Sequence, residues 1–187
     1  MRRRAVDALV AGLLLAVPAA ANGAPEPAAA ERSPYAGQET RAIKTLSAGG
    51  IEALEKGEGM GFAKAAELNG YPGPRHVLDL AEQLGLTAEQ HRQTTELFET
   101  MRSRAIALGA RLVEAEAALD DLFASGTANK GSLERAVETA ATIRGELRLV
   151  HLDAHLVQAR ILSPRQLRHY AKLRGYHGGH GDAGDDH

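Results

Sequence analysis

Histidine is the side chain with most chemistry to offer in this sequence. The 187 residues include eight histidines and no cysteine, so a transition-metal site would have to be built on imidazole and carboxylate. His151 and His155 lie four apart in a stretch of helical periodicity. Their rings project from one side of that helix and could share a Zn²⁺, Ni²⁺ or Cu²⁺ ion. Two ligands bind such an ion weakly, and a closed site usually has four. His76, on a short predicted helix ahead of the long ones, is the candidate third ligand, with Asp153 and carboxylates of the first long helix as further donors. The same spacing serves two surface or hydrogen-bonded histidines equally well. His177, His180 and His187 alternate with glycines and with Asp182, Asp185 and Asp186. That tract could capture metal loosely, or be a solvated end. Capture needs neutral imidazole and would fade below about pH 6.5. No cysteine nucleophile, Gly-x-Ser-x-Gly, His-Glu-x-x-His or phosphate loop occurs, so no enzyme is expected.

The elements that must position these residues are helices. Leu86-Thr87-Ala88-Glu89-Gln90 and Leu162-Ser163-Pro164-Arg165-Gln166 both read Leu-[Ser/Thr]-x-x-Gln. In each, the hydroxyl can cap a helix and the Gln can reach back to the cap amide, a capping box. Pro164 falls at the first helical position, where its missing N–H costs nothing. A worn third copy, Leu46-Ser47-Ala48-Gly49-Gly50, precedes them. Between the boxes, Phe98, Met101, Ala105, Leu108, Leu112, Ala115, Leu119 and Leu122 follow a 3–4 alternation. After the break at 126–131, Leu133, Ala136, Ala140, Ile143, Leu147, Val150, Ala154, Val157 and Ile161 repeat it. Two such seams joined by a short polar loop predict an elongated antiparallel hairpin, its first arm roughly 55 Å long. With the loop centred near residue 128, Ser163 should fall opposite about residue 94, so both boxes sit at the open end.

Leu149, Leu152 and Leu156 lie opposite the second arm's seam, which predicts burial on a second face as well. The candidate covers are the short N-terminal helices, a terminal helix 164–174, or a second copy. Short helices are expected after Pro34, after Ser47, from about Gly61 to Leu68, and from Arg75 to Leu84 with Gly85 as cap. Arg102, Arg104, Arg111, Arg144 and Arg148 could face acidic client segments, or be a solvated face interleaved with Glu99, Glu114, Glu116 and Glu146.

Residues 1–21 read as an export signal: Arg2–Arg4, an apolar run from Ala8 to Val17, and Ala19-Ala20-Ala21 as a cleavage site. The run is short for a membrane span, which favours a cleaved signal over a retained anchor. Its removal takes three Arg and one Asp from 22 basic and 24 acidic residues, leaving 19 and 23. That balance does not suit nucleic acid. Residues 22–33 read as a disordered Pro/Ala linker, 34–176 as one all-α domain and 177–187 as a disordered tail.

The paired Leu-[Ser/Thr]-x-x-Gln motifs, the hairpin and the export signal resemble the Spy/CpxP and heavy-metal-resistance group of periplasmic proteins. Asn69-Gly70-Tyr71-Pro72-Gly73-Pro74 and Leu173-Arg174-Gly175-Tyr176 are similar to one branch of it. The resemblance implies a hooked all-α hairpin, usually a homodimer with a concave cradle. It implies an ATP-independent chaperone for unfolded envelope proteins, or a metal-binding sensor of metal resistance. A membrane-bound sensor or anti-sigma factor is the partner it suggests.

Overall fold

A computed structural model describes residues 32–176. The predicted signal, residues 22–31 of the predicted linker and the 177–187 tract lie outside the described residues. The chain divides after Ala36. Before that point the Ala36 amide donates to the Ser33 carbonyl (3.0 Å), closing a turn. The helix predicted after Pro34 does not form; Gly37, at φ +87°, stands in a left-handed conformation that no α-helix can continue through.

From Gly37 onward the described chain is helical: α1 (Ala48–Glu55), α2 (Lys64–Glu67), α3 (Pro74–Asp79), α4 (Ala81–Leu84), α5 (Ala88–Ala124), α6 (Lys130–Ile161) and α7 (Pro164–Leu173). Among the described residues the extended pairing is limited to one isolated bridge, Ile43 to Leu46. The protein is all-α, and its centre is the hairpin of α5 and α6, of 37 and 32 residues. The predicted helix over 75–84 is broken at Leu80 (φ −110°, ψ 16°) into α3 and α4. Gly85 caps α4 in the left-handed conformation.

Met101, Ala105, Leu112 and Ala115 of α5 pack with Ala140, Ile143, Leu147, Val150 and Ala154 of α6. This is the predicted seam along most of its length. Toward the open end it departs from prediction. Val157 is exposed, and Gln158 is buried in its stead, donating from Nε2 to Thr94 Oγ1 at 3.2 Å. A straight helix turns every 3.6 residues, so a strict 3–4 alternation drifts off the contact line and Ala154 is followed by Gln158. Thr94 therefore faces Gln158, not Ser163, which lies beyond the end of α6. Across the hairpin Arg144 pairs with Glu116 (2.8 Å) and Arg111 with Glu146 (3.5 Å).

The second apolar face of α6 is not buried as expected. Leu149 is 56% and Leu156 45% exposed. The short helices lie elsewhere: α1 and α3 pack on α5, α2 touches α6 on its histidine side, and α7 meets α4. Gly109 explains how α1 can lie so close to α5. A Cβ at that position would stand 2.3 Å from the Leu54 carbonyl oxygen.

Both predicted capping boxes form, and they form together. Thr87 Oγ1 accepts from the Gln90 amide (3.1 Å) and Ser163 Oγ from the Gln166 amide (3.3 Å). The returning bonds, Thr87 and Ser163 amides to the glutamine Oε1 atoms, are 3.1 and 2.9 Å. Each glutamine then spends its Nε2 on the other's Oε1, at 3.0 and 2.9 Å. Gln90 Nε2 also donates to the Ile161 carbonyl at the end of α6 (2.9 Å). Leu86 and Leu162, the leucines of the two motifs, pack with Val77, Leu84 and Tyr170 in a second apolar cluster. Ser47 caps α1 by accepting from the Gly50 amide (3.1 Å). With glycine at that place, the worn copy lacks a side chain to return the bond.

A box alone would accept Glu as readily as Gln; the clasp would not, because carboxylates lack the N–H. Gln90→Glu and Gln166→Glu should each cost about 1–2 kcal/mol in urea unfolding, and the double variant more, as two carboxylates repel. Gly109→Ala should destabilise by several kcal/mol, in the manner of overpacked cores. Gly145→Ala, with nothing within 4 Å, should stabilise by up to about 1 kcal/mol.

Candidate functional site

His151 and His155 are both buried, against the surface reading of the pair. The His151 ring stacks on Phe62, centroids 5.8 Å apart and planes 13° from parallel. Its Nε2 is buried with no hydrogen-bond partner among the described residues. Burial, helped by neighbouring His155, lowers its pKa and favours the neutral ring. His155 Nδ1 lies 2.7 Å from the Tyr71 carbonyl. A carbonyl only accepts, so Nδ1 carries the proton, and in the neutral ring Nε2 is left as a bare acceptor. That nitrogen sits against Gly73, where a Cβ would come within 2.9 Å of it. The turn Pro72-Gly73-Pro74 therefore needs its glycine for the imidazole to fit.

Glu67, at the end of α2, ties these parts together. It is 8% exposed. Its Oε2 accepts from the Gly73 amide (3.1 Å), and its Oε1 from the hydroxyls of Tyr170 (2.5 Å) and Tyr176 (3.0 Å). Arg174 Nε stands 3.5 Å away, His76 Nδ1 3.6 Å and His155 Nδ1 3.7 Å. Burial by itself would raise the pKa of this carboxylate. The His76 imidazole and the hydroxyls of Tyr170 and Tyr176 outweigh burial and lower it to about 2. Burial and the bond to Glu67 push the Tyr170 hydroxyl far up in turn. Glu67 is thus an anion at any ordinary pH, held by groups from α3, α6, α7 and the segment after α7.

Glu67 and the three histidines line a cleft of about 510 Å³ whose walls also include Gly73, Phe98 and Met101. The three histidines named from the sequence are thus in one place. Asp153 is exposed and takes no part in the lining. Among the described residues no three His, Asp or Glu side chains converge closely enough to hold a metal ion. His177, His180 and His187 lie outside the described residues.

No protein-family model, curated protein or solved structure matches the chain. The site therefore rests on its own geometry.

Sequence reasoning missed Glu67. A carboxylate in a four-residue helix carries little local signal. Its one clue is position, shortly after the buried Phe62 and Ala63 that precede α2 and just ahead of a Tyr-Pro-Gly-Pro turn. Leu86, Thr87, Gln90, Leu162, Ser163 and Gln166 do not line the cleft.

A carboxylate whose folded pKa is depressed stabilises the fold above its ordinary value of 4.5, and the gain is lost as pH falls toward about 2. Acid titration followed by circular dichroism should show stability falling across that window. Glu67→Gln should be less stable at neutral pH and should flatten that part of the curve.

Proposed function

We propose that this chain is an exported, ATP-independent holder of unfolded envelope proteins, like the stress chaperones its paired motifs resemble. The outer side of α6 carries the reading. Leu149, Leu152 and Leu156 repeat there at 3–4 spacing, and Leu149 and Leu156 stand about half exposed. Covering an apolar side chain of this size is worth about 1.5–3 kcal/mol, so the row offers an unfolded segment a place for its own apolar residues. Arg148 and Asp153 beside the row keep the face in water. Gly145, one turn before Leu149, leaves room for another backbone to approach. Pairing of two copies would give the cradle of the resemblance, and a homodimer is part of the proposal. So are the periplasmic address carried by residues 1–21 and signalling through a membrane-bound sensor or anti-sigma factor.

Purified protein at stoichiometric excess should suppress aggregation of a chemically denatured client without nucleotide, as read by light scattering. Leu149→Ser with Leu156→Ser should abolish most of the suppression while leaving the far-UV spectrum unchanged. Unaltered suppression would rule the α6 face out.

Metal binding in heavy-metal resistance is the second reading, favoured by the gathering of three histidines and a carboxylate along one cleft. It predicts sub-millimolar calorimetric affinity for Zn²⁺, Ni²⁺ or Cu²⁺ that falls about tenfold in His151→Ala/His155→Ala. Loss of all binding in a His177→Ala/His180→Ala/His187→Ala variant would instead assign the metal to the tail.

A further inference from the structure

The groups left unused in the cleft describe a different guest from a metal ion. His155 Nδ1 is committed to the Tyr71 carbonyl, and Glu67 to two tyrosine hydroxyls and the Gly73 amide. His151 Nε2, on a residue 3% exposed, and His76 Nδ1 have no hydrogen-bond partner among the described residues. The charges in the wall are largely paired off as well. Lys56 bonds Glu52 along α1, and Arg75 pairs with Asp79 along α3 while lying over the Phe98 ring. Lys64 and Arg102 have no ion pair among the described residues, against one unpaired acid in the wall, Glu58.

The loop between α1 and α2 adds backbone donors. Gly59-Met60-Gly61 borders the cleft, and Met60 and Gly61 are in successive left-handed conformations (φ +42° and +78°). No backbone carbonyl among the described residues accepts from the amides of Gly59, Met60 or Gly61. Turns of this kind hold successive N–H groups toward one side and suit an anion. A non-glycine residue at positive φ is conformational strain of the sort that collects at ligand sites. Deeper in, Phe98 and Met101 supply an apolar wall, and the cleft volume lies within the range of small-molecule sites.

We propose that this cleft binds a small organic carboxylate with a short apolar body. Its charge lies toward Lys64, Arg102 and the Gly59–Gly61 amides, and its body rests against Phe98 and Met101 beside His151. The inference does not depend on how the outer side of α6 treats unfolded clients.

The test is calorimetry of the full chain with hexanoate and benzoate, alongside NMR of the histidine ring protons. Hexylammonium, inorganic phosphate and Zn²⁺ serve as comparison probes. Expected are saturable binding of one or both carboxylates, a shifted His151 resonance, and affinity about tenfold lower in Lys64→Met/Arg102→Met. Phosphate, lacking the apolar body, should bind more weakly, and Phe98→Ala should weaken hexanoate more than phosphate. That double variant keeps every core residue, so a fold change is not expected, and an unaltered melting temperature checks it. No shift of His151 at saturating carboxylate would overturn the proposal. So would hexylammonium binding as tightly as hexanoate, or Zn²⁺ displacing the carboxylates while shifting His76 and His151 together.

Discussion

A pair of antiparallel helices buries only one side of each, and α1, α2 and α3 are laid on part of what the α5–α6 contact leaves uncovered. Leu112 and Leu147, each 1% exposed, mark the middle of that contact. Losing a leucine of this kind typically costs 2–5 kcal/mol, a large share of the stability of a single domain. The short helices α1, α2 and α3 are positioned against it. The end of α1 reaches α5 only because Gly109 has no side chain. His151 and His155 stand on the same helix, each one position after a buried residue, Val150 and Ala154, and so they too are drawn out of water.

Where the apolar seam ends, polar closure takes over. Thr94 and Gln158 replace it near the open end, and the amide clasp of Gln90 and Gln166 holds the start of α5 to the start of α7. Glu67 closes the neighbouring region through side chains that are up to 109 residues away in sequence. Both closures are buried or half-buried networks in which each member satisfies several others. In such networks the loss of one member leaves the rest unmatched, so their effect exceeds that of any single bond. The cleft lies against the second closure and shares Glu67 with it.

Much of the fold was legible because it rests on local rules. Capping chemistry at Thr87 and Ser163, the glycine-rich break at 126–131 and the 3–4 alternation of Met101 to Ala115 each act within a few turns of helix. The errors arose where that pattern was extended beyond what it governs. Val157 follows the alternation and is exposed, because the helix drifts. Leu149 and Leu156 form an apolar face and remain uncovered, because coverage depends on where distant helices land. The candidate site was half legible: His76, His151 and His155 could be named and do meet, while Glu67, Gly73 and the tyrosines that hold it could not.

The sequence by itself determined the two long helices, the capped starts of α1, α5 and α7, the hairpin and the histidines able to do chemistry, since spacing and local hydrogen bonding decide these. Only the tertiary structure decided that the two motif glutamines bind each other, and that a glutamate gathers Tyr170, Tyr176, Arg174 and two histidines around itself. It also decided which apolar side of α6 is covered. The physical reason is common to all three. A hydrogen bond or a buried contact between residues far apart in the chain leaves no periodic trace, and exists only once the backbone has brought its partners within reach.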